Sequence, residues 1–258
     1  MCWPGLAIVP NDISEEVEVT AQAAAYTSVR AVRIGSGVDD TWVVIPLYNE
    51  EQVIGDVVAD VRAEFPQVVC VDDGSSDHSA AVAAAAGARV VRHPFNLGQG
   101  AALQTGFHFA LADPAMKYVV TFDADGQHQI ADAVGMVERL RAGEADVVFG
   151  SRFMDDRTKP NFAKKMVLRA AVGYTNMTTR TRLTDAHNGL RAIGRPVVAQ
   201  LNITQNRMAH ASELVAQIGA SKATYVEHPV HILYTDYSKA KGQSLWNSIN
   251  ILADLMLR

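Results

Sequence analysis

Short apolar runs alternate with segments of helical periodicity between residues 41 and 149. The runs predict buried strands at Trp42–Ile45 (ended by Pro46), Val68–Val71, Arg89–Val91, Tyr118–Phe122 and Asp146–Phe149. Helical spacing of apolar residues predicts helices over 53–65, 78–86, 99–111 and 130–141, with another over 209–219. This alternation indicates right-handed βαβ units, so we expect an α/β fold with one mostly parallel sheet that helices cover on both faces.

The two ends of the chain lack this pattern. Residues 1–39 combine acidic residues, an Ala-rich stretch and a Gly-Ser-Gly sequence, and we treat them as an extension of uncertain order. Residues 40–235 form the principal predicted domain. Residues 236–258 comprise a basic loop and an amphipathic helix whose apolar face holds Leu245, Trp246, Ile249, Leu252 and Met256. That helix is predicted either to lie in a membrane interface or to pack on the domain or on a second copy of the chain.

Composition narrows the class of protein. The chain has 258 residues, a net charge of −5 and two distant cysteines, Cys2 and Cys70. A general nucleic-acid binder of this size is usually basic, and a disulfide framework needs more cysteines, so both are disfavoured. No apolar run reaches the ~18 residues of a membrane span, and residues 1–10 do not resemble a signal peptide. We therefore expect a cytoplasmic protein that is soluble or lies peripherally on the inner face of a membrane.

Polar side chains follow the predicted strands at the points where the strands end. They occur at 48–50, 72–73, 93–96, 123–127 and 151–152. Ligands of parallel sheets bind beyond the carboxyl ends of the strands, so these residues are predicted to share one site.

The segment Asp-Ala-Asp-Gly-Gln at 123–127 has the clearest chemistry. The carboxylates of Asp123 and Asp125, with the amide of Gln127, offer the oxygen ligands that Mg²⁺ and Mn²⁺ prefer. Such a pair also occurs in solvated turns. At the end of a buried strand, however, it is costly unless something positive is bound. The segment therefore predicts a divalent-metal site.

Two other segments allow more than one interpretation. Asp72 and Asp73 belong either to a glycine turn that caps a helix or to a site that accepts hydrogen bonds from a nucleobase or ribose. Gly98-Gln99-Gly100 opens a helix as dinucleotide-binding loops do. Leu103 stands where such a loop needs its third glycine, which disfavours a Rossmann oxidoreductase.

The charge reverses between residues 151 and 195, where the net charge is +7. A solvated helix face is the simplest interpretation of a charged run. Binding of an anionic ligand or of an anionic phospholipid surface accounts better for the excess of positive charge.

Together these segments resemble one known family. Ile-Pro-Leu-Tyr-Asn-Glu at 45–50, Val-Asp-Asp-Gly-Ser at 71–75, Asn-Leu-Gly-Gln-Gly at 96–100, the 123–127 segment and Gly-Ser-Arg at 150–152 follow the order and spacing of family 2 glycosyltransferases. Within that family the chain is most similar to dolichol- or polyprenyl-phosphate hexose synthases, without their transmembrane helices. The resemblance covers roughly residues 41–235. It implies a GT-A fold, a UDP- or GDP-sugar donor, Mg²⁺ or Mn²⁺, and inversion at the anomeric carbon.

The resemblance also implies roles for individual residues. Donor-nucleotide binding would fall to Pro46, Tyr48, Asn49, Glu50, Asp72, Asp73, Asn96, Gly100, Asp123 and Ala124, and metal binding to Asp125 and Gln127. The acceptor or its phosphate would be bound by Arg152, Lys164, Lys165, Arg191 and Lys241. The catalytic set would be Asp185, Asp125 and Arg152. Asp185 begins a segment that ends at Arg191 and has Leu190 where the family has Phe. For Glu213 the sequence supports two alternatives equally, a position in the site and a position on the surface.

The acceptor decides what Asp185 does. A lipid monophosphate is largely ionised at pH 7, because its second pKa is about 6, and Asp185 would then orient it or help to bind metal. A sugar hydroxyl needs a base, and Asp185 is the candidate. We expect a polyprenyl or dolichyl phosphate acceptor, with a hydroxyl of a sugar or lipid-linked saccharide as the alternative.

Two other classes fit the sequence less well. A nucleotidyltransferase would have a Gly-rich loop with Arg or Lys after the first strand, and residues 46–50 are not such a loop. A non-catalytic nucleotide-sugar binder is disfavoured because Asp125, Gln127 and Asp185 are intact.

Overall fold

The computed structural model describes residues 39–155, 172–173, 175–179, 181–205 and 209–233. The strands of this part are β1 (Thr41–Leu47), β2 (Gln67–Asp72), β3 (Arg89–Arg92), β4 (Tyr118–Thr121), β5 (Val147–Ser151), β6 (Arg191–Gly194) and β7 (Tyr225–Pro229). Its helices include α1 (Ile54–Glu64), α2 (Ser79–Ala85), α3 (Gln99–Leu111), α4 (Ile130–Arg141), α5 (Arg195–Val198) and α6 (Ala209–Ala220).

The strands form one sheet in the order β3-β2-β1-β4-β6-β5-β7. Neighbouring strands are parallel except for β6, which runs antiparallel to both β4 and β5. The expected α/β fold with one mostly parallel sheet is therefore confirmed. The sequence pattern did not predict β6 or β7.

Strand β1 continues through Pro46, where the sequence predicted its end. The strand pairs with β2 as far as Leu47, but with β4 only as far as Val44. Val44 accepts a hydrogen bond from Phe122 on the β4 side, and Leu47 accepts one from Asp73 on the β2 side. Because successive residues of a strand face opposite neighbours, the nitrogen of Pro46 faces the β4 side, beyond the last β4 pair. The missing N–H therefore breaks no hydrogen bond.

Two apolar layers cover the sheet. Alternate residues of β1 enter different layers, with Val43 and Ile45 on one face and Trp42 and Val44 on the other. Helices α1, α2 and α4 cover the first face, and α3, α5 and α6 cover the second. This is the arrangement that makes buried parallel strands apolar on both faces.

The order of the strands opens a crevice beside β1. The chain passes from β1 to β2 and β3 on one side, and then returns to β4 on the other side. The connections that leave β1 and β4 lead to strands on opposite sides of this pair, and such a reversal of strand order is where open α/β sheets bind ligands.

Several predicted features lie outside the described residues. These are residues 1–38 of the N-terminal extension, Lys164, Lys165, Lys241 and the amphipathic C-terminal helix. The predicted domain boundaries remain predictions. In the described part of the chain, no helix combines the length and apolarity needed to cross a bilayer.

The contact between α3 and β1 provides a test of the packing. A Cβ atom on Gly106 would lie 2.2 Å from Cγ1 of Val44. We expect Gly106→Ala to destabilise the protein by about 1–3 kcal/mol, because overpacking outweighs the better helix propensity of alanine. Urea denaturation measures the change. The control is Gly173→Ala, where a Cβ would meet nothing within 4 Å; equal stability of the two variants would contradict the close packing.

Candidate active site

A cavity of about 540 Å³ opens at the carboxyl ends of β1 and β4. Eleven of the residues assigned from the sequence line it: Pro46, Tyr48, Glu50, Asp73, Asn96, Asp123, Ala124, Asp125, Gln127, Arg152 and Arg191. The structure thus brings together residues from six separate segments of the chain. It also places His187, Asn188 and His210 in the wall, to which the sequence analysis had assigned no role.

Asp73 fixes the loop that forms one wall of the cavity. Its carboxylate accepts hydrogen bonds from the backbone nitrogens of Leu97 at 2.9 Å and Gly98 at 2.7 Å. The same carboxylate lies 2.8 Å from Nδ1 of His93, and the other ring nitrogen of His93 lies 2.9 Å from Oγ1 of Thr105. Both carboxylate oxygens are therefore engaged within the protein, and Asp73 shapes the cavity by holding residues 93–98 in place.

Asn49 and Asp72, both assigned to the donor nucleotide, do not line the cavity. Asp72 is fully buried, accepts a hydrogen bond from the Ser75 nitrogen at 3.1 Å and lies 2.8 Å from Nε of Arg92. Asn49 adopts a positive φ of 54° and accepts a hydrogen bond from the Ser76 nitrogen at 2.9 Å. The two residues therefore stabilise the turns that follow β1 and β2.

Gly100, a third residue assigned to the donor nucleotide, also lies outside the cavity wall. A Cβ atom there would lie 2.1 Å from the carbonyl oxygen of Gln205. The glycine therefore allows the start of α3 to approach the 203–205 segment. The same segment is held by the Glu213 carboxylate, which accepts hydrogen bonds from the backbone nitrogens of Thr204 and Gln205. Glu213 thus supports a neighbouring loop and does not line the cavity.

Asp123 and Asp125 concentrate negative charge on one side of the cavity. Oδ2 of Asp123 lies 2.8 Å from Nε2 of His128, and Asp125 accepts a hydrogen bond from the Gln127 nitrogen at 3.1 Å. Burial raises the pKa of Asp123, but the hydrogen bond and charge of His128 more than offset this and hold it below its usual value. Burial, followed by the charge of Asp123, raises the pKa of Asp125 to about 6.

The residues around Asp125 fit a divalent metal ion. The repulsion that raises the pKa of Asp125, to which Glu50 also contributes, would be relieved by a bound cation. The donor atoms are the hard oxygens that Mg²⁺ and Mn²⁺ prefer. Among the described side chains, no three His, Cys, Asp or Glu residues are grouped to hold a metal alone.

A largely buried ion pair lies at another part of the cavity wall. Nε and Nη2 of Arg152 donate to the two carboxylate oxygens of Asp185 at 2.6 and 2.8 Å, and the Arg152 backbone nitrogen donates to the same group at 3.2 Å. Burial raises the pKa of Asp185, but the charge and hydrogen bonds of Arg152 outweigh burial and hold the pKa below its usual value. Asp185 is 1% exposed, and only Arg152 of the pair lines the cavity.

Glu227 on β7 holds the backbone that carries this ion pair. Its Oε1 accepts hydrogen bonds from the backbone nitrogens of Thr184 at 2.8 Å and Asp185 at 3.1 Å, and from the Thr184 hydroxyl at 2.8 Å. The Thr184 hydroxyl also lies 2.6 Å from that of Ser151, immediately before Arg152. No local pattern indicated a role for Glu227, because its contacts are with residues about forty positions earlier in the chain.

Two cations of the basic 151–195 segment have different surroundings. Arg195 donates hydrogen bonds to the carbonyl oxygens of Leu111, Asp113 and Met116, and so secures the end of α3. Arg191 is 2% exposed and lines the cavity. Burial lowers its pKa to about 10, although the carboxylates of Asp123 and Asp185 act in the opposite direction. It therefore stays charged at neutral pH.

Comparison with known proteins identifies the family. The family model described as "Glycosyl transferase family 2" matches residues 42–201. The chain belongs to glycosyl transferase family 2. This confirms the family that the sequence motifs indicated.

Two relatives are similar over most of their length. An uncharacterized protein of Methanocaldococcus jannaschii is 32% identical over 85% of this chain and 92% of its own. The UDP-N-acetylglucosamine–dolichyl-phosphate N-acetylglucosaminyltransferase of Methanococcus voltae is 27% identical over 84% of this chain and 94% of its own.

A solved structure confirms the GT-A fold. Glucosyl-3-phosphoglycerate synthase from Mycobacterium tuberculosis, in complex with Mn²⁺, UDP-glucose and phosphoglyceric acid, superposes with a TM-score of 0.59 at 20% identity. The match covers 89% of this chain and 83% of the other. At 20% identity this likeness establishes the fold alone.

The raised pKa of Asp125 predicts that the metal-free glycosyltransferase is less stable at neutral pH than at acidic pH. Because the folded protein prefers Asp125 protonated, stability should fall as the pH rises from about 4 to about 6 and stay lowered above that. We expect Asp125→Asn to stabilise the protein at pH 8 by at most about 3 kcal/mol, and by much less at pH 4.5. Urea denaturation in EDTA measures this, with the exposed Asp60→Asn as control. Equal effects at the two pH values would contradict the assignment.

Removal of the Glu227 carboxylate should slow the glycosyltransferase without weakening donor binding. We expect Glu227→Ala to lower kcat by about 10- to 100-fold, as loss of a supporting group around an active site commonly does, with little change in donor KM. Glu227→Gln should recover most of the rate, because its amide oxygen can accept the same hydrogen bonds. Equal loss in both variants would contradict a positioning role.

Proposed function

We propose that this family 2 glycosyltransferase moves a hexose, with inversion, from a UDP- or GDP-sugar to a polyprenyl or dolichyl phosphate. The observation that carries the proposal is the state of Asp185. Both of its oxygens accept hydrogen bonds from the Arg152 guanidinium, and its pKa is held below the usual value. A carboxylate in this state is a poor proton acceptor.

A phosphate acceptor does not need a base. Its second pKa is about 6, so it is largely a dianion at pH 7. One of its oxygens would form the new bond to the anomeric carbon as the bond from that carbon to the nucleoside diphosphate breaks. The diphosphate leaves with the electron pair, and no proton has to move. Asp185 would then hold Arg152 in position, and Arg152 and Arg191 would offset the charge of the phosphate.

The carboxylate side of the cavity suits the donor. Asp125 and Gln127 would hold Mg²⁺ or Mn²⁺, which supplies Lewis-acid stabilisation of the diphosphate when bound. Asp123 is kept in place by His128 and would contact the ribose or the metal. Tyr48, Glu50 and Asn96 also line the cavity and would contact the nucleoside.

The relative from Methanococcus voltae supports the choice of acceptor, because its name specifies transfer to dolichyl phosphate. Lys164, Lys165 and Lys241 are proposed to contribute to phosphate binding. Together with the C-terminal helix, they would also bring the enzyme to an anionic membrane surface. A homodimer through that helix remains a prediction.

Asp185→Asn tests the acceptor class. On a short polyprenyl phosphate we expect kcat to fall by less than about tenfold, because no general base is removed. A loss of about 10²-fold or more is typical of removing a base. Rates should be measured with UDP-glucose, UDP-N-acetylglucosamine and GDP-mannose, each with the polyprenyl phosphate and with a sugar-terminated lipid. Asp125→Asn serves as the inactive control.

Three outcomes would contradict the proposal. Transfer only to the sugar-terminated lipid would make the acceptor a hydroxyl. A base-like loss in Asp185→Asn on polyprenyl phosphate would give Asp185 a catalytic proton transfer. Binding of nucleotide sugars without transfer to either acceptor would indicate a non-catalytic binder.

A further inference from the structure

The turn at residues 187–189 lies between the two charged sides of the cavity. The backbone nitrogen of His187 donates to Asp185 at 3.4 Å, on the side of the ion pair. Two residues later, a Cβ atom on Gly189 would lie 2.1 Å from Oδ2 of Asp123, on the carboxylate side. His187, Asn188 and Gly189 all line the cavity. The turn therefore spans the distance from Asp185 to Asp123.

The polar side chains of this turn have unused hydrogen-bonding capacity. Neither ring nitrogen of His187 has a hydrogen-bond partner within the described structure, and neither does Nδ2 of Asn188. The amide oxygen of Asn188 is already used, since it accepts a hydrogen bond from the Leu190 nitrogen at 2.9 Å. Buried polar atoms of native proteins almost always have partners. Three such atoms on two adjacent cavity-lining residues indicate that a ligand supplies the partners.

The chemistry of the two side chains favours an uncharged polar ligand. Burial lowers the pKa of His187 to about 4, so its ring is neutral at pH 7. A neutral imidazole has one donor and one acceptor nitrogen, and Asn188 adds an amide donor. A sugar hydroxyl both donates and accepts, and matches this set. A phosphate only accepts at neutral pH, and would leave the acceptor nitrogen of His187 without a partner.

The position of the turn fits the same ligand, given the proposed function on which this step rests. In an inverting transfer the hexose lies between the leaving diphosphate and the attacking phosphate. The diphosphate is assigned to the side of Asp123 and Asp125, and the acceptor to the side of Arg152 and Asp185. The turn lines the cavity between these two sides.

We propose that His187 and Asn188 form the subsite that recognises the hydroxyl groups of the transferred hexose, and that they determine which nucleotide sugar the enzyme accepts. Charged residues would hold the donor phosphates and the acceptor phosphate. The two uncharged side chains would distinguish one sugar from another.

The test compares sugars that share one nucleotide. Affinities of the 258-residue protein for UDP, UDP-glucose, UDP-galactose and UDP-N-acetylglucosamine, and for GDP, GDP-glucose and GDP-mannose, are measured by calorimetry with Mn²⁺ present. The variants are His187→Phe, His187→Gln and Asn188→Ala. The control is His78→Phe, on an exposed residue before α2.

We expect the wild type to separate at least one pair of sugars on the same nucleotide by about tenfold, the effect of one discriminating hydrogen bond. His187→Phe and Asn188→Ala should reduce that ratio to less than about threefold, while affinity for the bare nucleoside diphosphate stays within about twofold. His187→Gln should preserve part of the discrimination, since an amide also has a donor and an acceptor. His78→Phe should behave as the wild type.

The outcomes separate this proposal from the proposed function. If the wild type binds no nucleotide sugar, the proposed function fails and the subsite fails with it. If the wild type separates the sugars and His187→Phe and Asn188→Ala separate them equally well, only the subsite is overturned. If His187→Phe also loses affinity for the bare nucleotide, His187→Gln decides: retained discrimination supports the subsite, and loss of both affinities shows a structural role and overturns it.

Discussion

The ion pair between Arg152 and Asp185 holds two distant segments of the chain together beside the cavity. Its two residues are 33 positions apart, one following β5 and the other preceding β6. Both are largely shielded from water, so each charge needs the other: removing one partner would leave a buried, uncompensated charge. The hydrogen bonds of Glu227 and Ser151 act on the same two segments. The ion pair thus fixes where the 185–191 segment enters the cavity wall.

The two sides of the cavity differ in how their charges are compensated. Asp185 has its counter-charge within the protein, and its pKa is lowered. Asp125 lies near two other carboxylates, those of Asp123 and Glu50, and its pKa is raised. A side whose charges are balanced can hold its geometry without a ligand, whereas the other side gains stability when a cation arrives. This asymmetry is the physical basis for assigning the metal and the donor diphosphate to the Asp125 side.

Local patterns in the sequence predicted most elements of the fold. The helices at 99–111 and 130–141 were predicted with the bounds that α3 and α4 have, because apolar spacing and turn residues mark them locally. Strand β6 has only four residues, and β7 carries Glu227 and His228 among its five. Neither has the continuous apolar run of a buried strand, so their strand character depends on pairing with β4 and β5. That pairing is a long-range property.

The candidate site was predictable in position but less so in detail. Residues after the strands were expected to meet at one edge, and the strand order places nine of them around one cavity. The sequence motifs could not show that the backbone nitrogens of residues 97 and 98 donate hydrogen bonds to Asp73. Nor could they show that Asp185 is paired with Arg152. Both facts depend on contacts between segments that are distant in the chain. They show that these two carboxylates also hold the site in shape.

The backbone of the 184–190 segment is secured independently of the side chain at 187. Glu227 holds the nitrogens of Thr184 and Asp185, the Thr121 hydroxyl donates to the carbonyl oxygen of Gly189 at 2.6 Å, and Asn188 accepts from Leu190. The His187 ring takes part in none of these hydrogen bonds. A substitution at 187 can therefore alter what the cavity wall recognises while Asp185, Arg152 and Asp123 keep their positions. In a site built this way, charged groups held by the fold would set the chemistry of transfer, and an uncharged side chain outside that framework would set the choice of sugar.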